Sequence, residues 1–174
     1  MTVPRRLLTL LIVLGTLACS CSAQARNGWR TATPEELASF LPARAPVDKE
    51  RIESEMRTAS GIINERGQMI GSVVLITAGY AAEGKYSHYL LTQRTIKLGD
   101  KLTLQPGAYV IGWTRTESGL MVHIFDAPTA KERGVLLAPP IPHTRRVESF
   151  RIWPPDEQHY IQIGRFMLPY TIAN

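Results

Sequence analysis

Cysteine is nearly absent from this chain. It has two, Cys19 and Cys21, and both lie close to the N-terminus. If the segment that carries them is removed, disulfides, thiol nucleophiles and cysteine-based zinc sites go with it. A dominant charge is missing too. Of 20 Lys and Arg residues, two (Arg5 and Arg6) stand in the leader, which leaves 18 against 15 Asp and Glu. A surplus that small gives no field to steer nucleic acid, so nucleic-acid partners are not expected. Histidine is scarce: His88, His123, His143 and His159 are the whole set, and no pair has the spacing of a helical metal site. Long apolar runs are confined to one place, Leu7–Leu14, broken only by Thr9. That run is too short to span a bilayer comfortably.

The same run has the flanks of an export signal. Arg5-Arg6 precedes it, and a small polar stretch ending in Ala23-Gln24-Ala25 comes after it, a small-x-small site for signal peptidase. Residues 1–25 are therefore expected to be a signal peptide, and the mature protein to be periplasmic or secreted with no transmembrane helix. A second processing route is open. Thr16-Leu17-Ala18-Cys19 resembles a bacterial lipobox, although Thr16 stands where that pattern has an aliphatic residue. The resemblance implies lipidation at Cys19 and a membrane-anchored lipoprotein. Arg5-Arg6 lacks the surroundings of a twin-arginine signal.

What remains is about 150 residues, enough to bury a core without disulfides and natural as one domain. Residues 26–60 read as a lead-in. Thr33-Pro34-Glu35-Glu36 fits a capping box with proline at the first helical position, Leu37, Phe40 and Leu41 supply an apolar stripe, and Pro42 stops the helix. Pro42 and Pro46 bracket a stiff connector. Residues 47–60 admit two readings. Ile52, Met56 and Ala59 have helical spacing, but charged residues at 51, 53, 55 and 57 alternate with their neighbours, and the alternation is adopted as a strand.

Residues 61–174 read as the β domain. Ile62-Ile63, a turn at Asn64–Gly67 and an apolar stretch from Met69 form a hairpin. Tyr86–Arg94, Leu102–Leu104, Ala108–Thr114, Leu120–Phe125, Val135–Ala138, Val147–Trp153 and Tyr160–Leu168 supply further strands. Pro106-Gly107 suits the centre of a type II turn, with Gly107 at positive φ. Short strands with turn signals about every ten residues indicate an all-β fold, a small antiparallel β-sandwich or barrel with a short N-terminal helix.

Motifs of known chemistry fail on inspection. Gly79-Tyr80-Ala81-Ala82-Glu83-Gly84-Lys85 satisfies the spacing of a phosphate loop, but Tyr86 stands where Ser or Thr should hold magnesium. Tyr86, Tyr89 and Thr92 also favour a strand over the required helix. A glycine-bounded turn is the better reading, and no cofactor is expected. His123 shares a strand face with Met121 and Phe125, so it reads as a half-buried residue with one hydrogen-bond partner. Neither G-x-S-x-G nor S-x-x-K occurs. No catalytic or metal-ligating set is assigned.

One surface suggests binding. Arg145-Arg146 precedes a strand on which Ser149, Arg151 and Trp153 share a face, and Arg165 lies on the next expected strand. Arginine beside tryptophan can hold an anionic or sugar-like group by forked hydrogen bonds and stacking. The plainer alternative pairs Arg151 with Glu148 or Asp156 and uses Trp153 to cover the sheet. The expected function is an exported cell-envelope domain with a non-enzymatic binding or accessory role, its partner an anionic or sugar-like envelope ligand or a protein. The alternative is a small periplasmic hydrolase whose site is assembled from residues distant in sequence.

Overall fold

The computed structural model describes residues 28–76, 85–144 and 146–173. The export signal, Cys19, Arg145 and residues 79–84 of the glycine-bounded turn lie outside them. The first half of the described chain carries β1 (Arg30–Thr31), α1 (Pro34–Phe40), β2 (Arg44–Val47), β3 (Glu50–Ile63), β4 (Met69–Leu75) and β5 (His88–Thr92). The second half carries β6 (Ile96–Leu98), β7 (Leu102–Leu104), β8 (Gly107–Arg115), β9 (Leu120–Asp126) and β10 (Glu132–Ala138). It ends with β11 (Glu148–Ile152), β12 (Tyr160–Gly164) and β13 (Phe166–Ile172).

These strands form two antiparallel sheets in a sandwich-like arrangement. The larger runs β1-β3-β4-β5-β8-β9-β10, with β2 paired to β3, and the smaller runs β11-β12-β13-β6-β7. Strand alternation decides what each face of the larger sheet meets. Ile70, Leu90, Ile111, Val122 and Ile124 point toward the smaller sheet and join Ile161, Ile163 and Leu168 in the inner core. Val73, Tyr89 and Val110 point the other way, into a second core closed by Leu37 and Leu41 at the helix and by Ala45 and Val47 of β2. A sheet buried on both faces explains why its central strands read as nearly continuous apolar runs.

The helix is set by its cap. Thr33 Oγ1 accepts from the Glu36 amide at 3.3 Å, and Glu36 accepts from the Thr33 amide at 2.8 Å. Arg30 adds a bidentate bond to Glu36, at 2.6 and 2.9 Å, and holds that carboxyl down at about 2.

Three expectations need correction. The connector expected at Pro42–Pro46 is partly strand, because β2 pairs along β3 from Arg44↔Glu53 to Val47↔Glu50, so the sheet begins well before Gly61. Gly107 is the extended first residue of β8, paired with Thr92, and is not among the glycines with positive φ. An ideal Cβ there meets nothing closer than 3.7 Å, so the position does not require glycine. Finally, Tyr160–Leu168 is two strands. Gly164, at φ 61°, reverses the chain so that β12 pairs with β13 through Ile163↔Phe166.

Two corner ties keep the sheets in register. The Ile152 amide of β11 donates to Ser60 Oγ of β3 at 3.0 Å, and Pro140 bridges to Phe166 at the start of β13. Among the described residues no helix is long and apolar enough to cross a membrane.

Candidate functional site

The residues singled out around Trp153 come together in part. The guanidinium of Arg151 lies 4.0 Å from the centre of the Trp153 ring and that of Arg146 lies 4.9 Å away. Glu148 serves both cations, at 2.5 Å from Arg146 and 3.7 Å from Arg151. Trp153 is only 6% exposed. Its N–H donates to Gln162 Oε1 at 3.1 Å, and the Trp153 carbonyl accepts from the Tyr170 hydroxyl. The chain's own arginines thus stack on the ring, and their carboxylate partner lies in the same cluster. This is a brace across β11 and β12, with Arg151 directly opposite Gln162 in the register.

Arg165 is elsewhere. It occupies the tip of the β12–β13 hairpin, beyond Gly164, and its carbonyl accepts from the Ile141 amide at 2.8 Å. The expectation that it faces Arg151 on a neighbouring strand fails because the segment folds back at Gly164. In the register the residue opposite Arg151 is Gln162.

Gln162 is the polar centre of the brace, and its role is not evident from the sequence pattern. It is 2% exposed, accepts from the Trp153 indole and donates to the carbonyls of Arg146 and Gly164 at 3.0 and 2.9 Å. A single amide inside the run Tyr160–Gly164 was its signal. A polar residue enclosed by apolar neighbours in a strand must find partners when it is buried.

The brace backs onto a cleft. Tyr170, whose hydroxyl is spent on Trp153, lines an opening of about 490 Å³ at the end of the sandwich. Three further segments supply its walls: Trp29 near the start, the β3–β4 turn with Asn64, Arg66 and Gln68, and the 155–159 loop with Asp156 and His159. Arg94, after β5, closes the side. Sequence reading missed this site because its residues are separated by up to some 140 positions and belong mostly to turns and loops, which carry no periodicity.

The turn wall is rigid by construction. Asn64 Oδ1 accepts from the amides of Arg66 and Gln68 at 3.0 and 2.9 Å, and Gly67 takes φ 74° to let the chain turn. Gln68 Oε1 accepts from Asn64 Nδ2 at 3.0 Å and from Arg94 Nη1 at 3.3 Å. Arg94 also donates to the Ala173 carbonyl at 2.6 Å. In contrast, the side chains of Arg66, Asp156 and His159 make no hydrogen bond or ion pair among the described residues.

His88 and His123 are the other histidines of interest. His123 Nδ1 lies 2.7 Å from Glu132 Oε1 and its ring stacks on Phe125, matching the half-buried, single-partner reading. His88 is 6% exposed between Trp113 and Phe150, and burial pushes it down to about 4. Its Nδ1 meets Ser87 Oγ at 3.0 Å while Nε2 has no partner. The described residues contain no cluster of three or more potential metal ligands.

No family model matches the chain, and no curated protein or solved structure is significantly similar to it.

Proposed function

We propose that this protein is an exported cell-envelope domain that binds a ligand or partner without transforming it, and that the cleft beside Tyr170 is the binding site. The observation that carries the reading is the contrast within the cleft wall. The scaffold groups, Asn64, Gln68 and Tyr170, are locked by internal hydrogen bonds, while the side chains of Arg66, Asp156 and His159 line the opening with no partner among the described residues. A rigid frame presenting uncommitted polar groups loses little order on binding, which is what preorganisation means for affinity. The Trp153 brace supports the frame from behind.

Mapping amide chemical shifts while the exported protein is titrated with soluble fragments of envelope glycan and peptide tests this. Shifts are expected to saturate and to centre on residues 64–68, 156–159 and 171–172, with the fragment recovered unchanged. Perturbations centred on another surface would overturn the placement. Steady conversion of a fragment would instead establish the hydrolase alternative.

A further inference from the structure

We infer that the cleft, taken as the binding site proposed above, holds its ligand through an oxyanion, a carboxylate or a phosphate, docked on Arg66, Arg94 and the side-chain amide of Gln68. Donors and acceptors on this wall do not balance. A carbonyl oxygen has two lone pairs. Asn64 Oδ1 has filled both, with the amides of Arg66 and Gln68, and Gln68 Oε1 has filled both, with Asn64 and Arg94. The side-chain acceptors of this wall are therefore saturated.

The unspent groups are donors. Gln68 uses its oxygen twice, and its NH₂ makes no hydrogen bond among the described residues. Arg94 is committed through one bond from each terminal nitrogen, to Gln68 and to the Ala173 carbonyl, and keeps further N–H groups. Arg66 commits none of its guanidinium among the described residues. Two cations and an amide donor on one wall, with every side-chain acceptor of the turn network filled, match the forked oxygens of an anion. Arginine favours such partners because its planar donors are already spaced for two oxygens.

The 155–159 loop refines the class. Asp156 is the one carboxylate among the described lining residues and has no internal cation partner there. It repels a bare anion and accepts from a hydroxyl or amide N–H, so the favoured ligand carries a donor group as well as its oxyanion. N-acetylalanine has that form, and inorganic phosphate tests the charge alone.

The experiment compares N-acetylalanine, inorganic phosphate and the neutral N-acetylalanine amide by shift mapping on the exported protein, with Arg66→Gln and Asp156→Asn variants. Both substitutions sit on exposed loop residues, and unchanged melting temperatures verify the fold. We expect at least one anion to shift residues 64–68 and 94 saturably, with the amide analogue at least about tenfold weaker. Arg66→Gln should weaken the anion about tenfold, and Asp156→Asn should tighten phosphate a few-fold. A response to N-acetylalanine alone assigns a carboxylate ligand, and a response to phosphate alone assigns a phosphorylated one. Equal binding of acid and amide within the cleft overturns the oxyanion and leaves the site standing. An Arg66→Gln variant that binds the anion as tightly as the parent overturns it likewise. Should no anion perturb the cleft while envelope fragments map to another face, both the inference and the site fall.

Discussion

Gln162 concentrates more of this protein's polar bonding than any charged residue of the brace. One amide satisfies the Trp153 indole and the carbonyls of Arg146 and Gly164, all at a position almost sealed from water. Replacing it with leucine keeps the volume but leaves the buried Trp153 indole N–H without a partner and takes one donor from each of the two carbonyls, of which that of Arg146 keeps the Thr144 hydroxyl. Each lost partner in such a site costs about 1–3 kcal/mol, so Gln162→Leu should lower stability by roughly 2–4 kcal/mol once relaxation is allowed. A urea titration followed by tryptophan emission measures this. A midpoint unchanged from the parent would mean that water replaces the amide. The paired arginines are expected to matter less, because Glu148 and both guanidiniums are partly solvated and such pairs contribute little.

Among the elements, β3 departs furthest from regularity. Its pairing with β4 passes from Glu55↔Val74 directly to Ser60↔Ser72, so residues 56–59 stand opposite Val73 alone. The extra residues form a bulge, which bends the strand and increases its twist. Thr58 substitutes for the missing ladder: its hydroxyl accepts from the Val74 amide at 3.0 Å and donates to the Glu55 carbonyl at 2.7 Å. Arg57 folds back on Glu55 at 2.9 Å and lowers that carboxyl. Thr58→Val preserves shape and removes both bonds, with an expected loss of about 1–2 kcal/mol and faster hydrogen exchange at Val74. Protection at Val74 equal to that of the parent would show that the bulge is held by other contacts. The bulge also brings Ser60 to β11, where it receives the Ile152 amide. Helical spacing at Ile52, Met56 and Ala59 competed with strand alternation in the sequence because the bulge interrupts the period of two in that stretch.

At the level of the whole molecule, the two sheets meet through a histidine. His88 of β5 lies 4.7 Å from Phe150 of β11 and 4.9 Å from Trp113 of β8, ring centre to ring centre. Burial keeps it neutral by lowering it from 6.5 to about 4. The sign of the pH effect comes from proton counting. Between 6.5 and about 4 the unfolded chain binds a proton that the folded chain does not, so stability falls as the pH drops through that window. His88 contributes in full above its unfolded value and loses about 3 kcal/mol by the time the pH reaches its folded value. Denaturant midpoints measured from about pH 7.5 to about pH 4 should show this slope, and His88→Phe should flatten it. An identical slope in the variant would assign the acid sensitivity to the carboxylates.

The sequence alone determined the class of architecture. Strand alternation, Gly- and Pro-marked turns and a capping box at Thr33 depend on neighbours within a few residues, and the all-β sheets with one short helix obey those local rules. Local rules also defined the β8–β9 hairpin and the half-buried setting of His123. Tertiary structure decided what local rules cannot reach. The Gly164 reversal inside an apolar run separates Arg165 from Arg151, since a strand pattern broken by one glycine resembles a continuous strand. The destination of Trp153 depended on Gln162 and Tyr170, which belong to other strands. The cleft depended on segments whose only relation is that the sandwich brings their ends together. A wall made of turns carries no periodicity of its own, so its donors come together only when the sheets that hold those turns are packed.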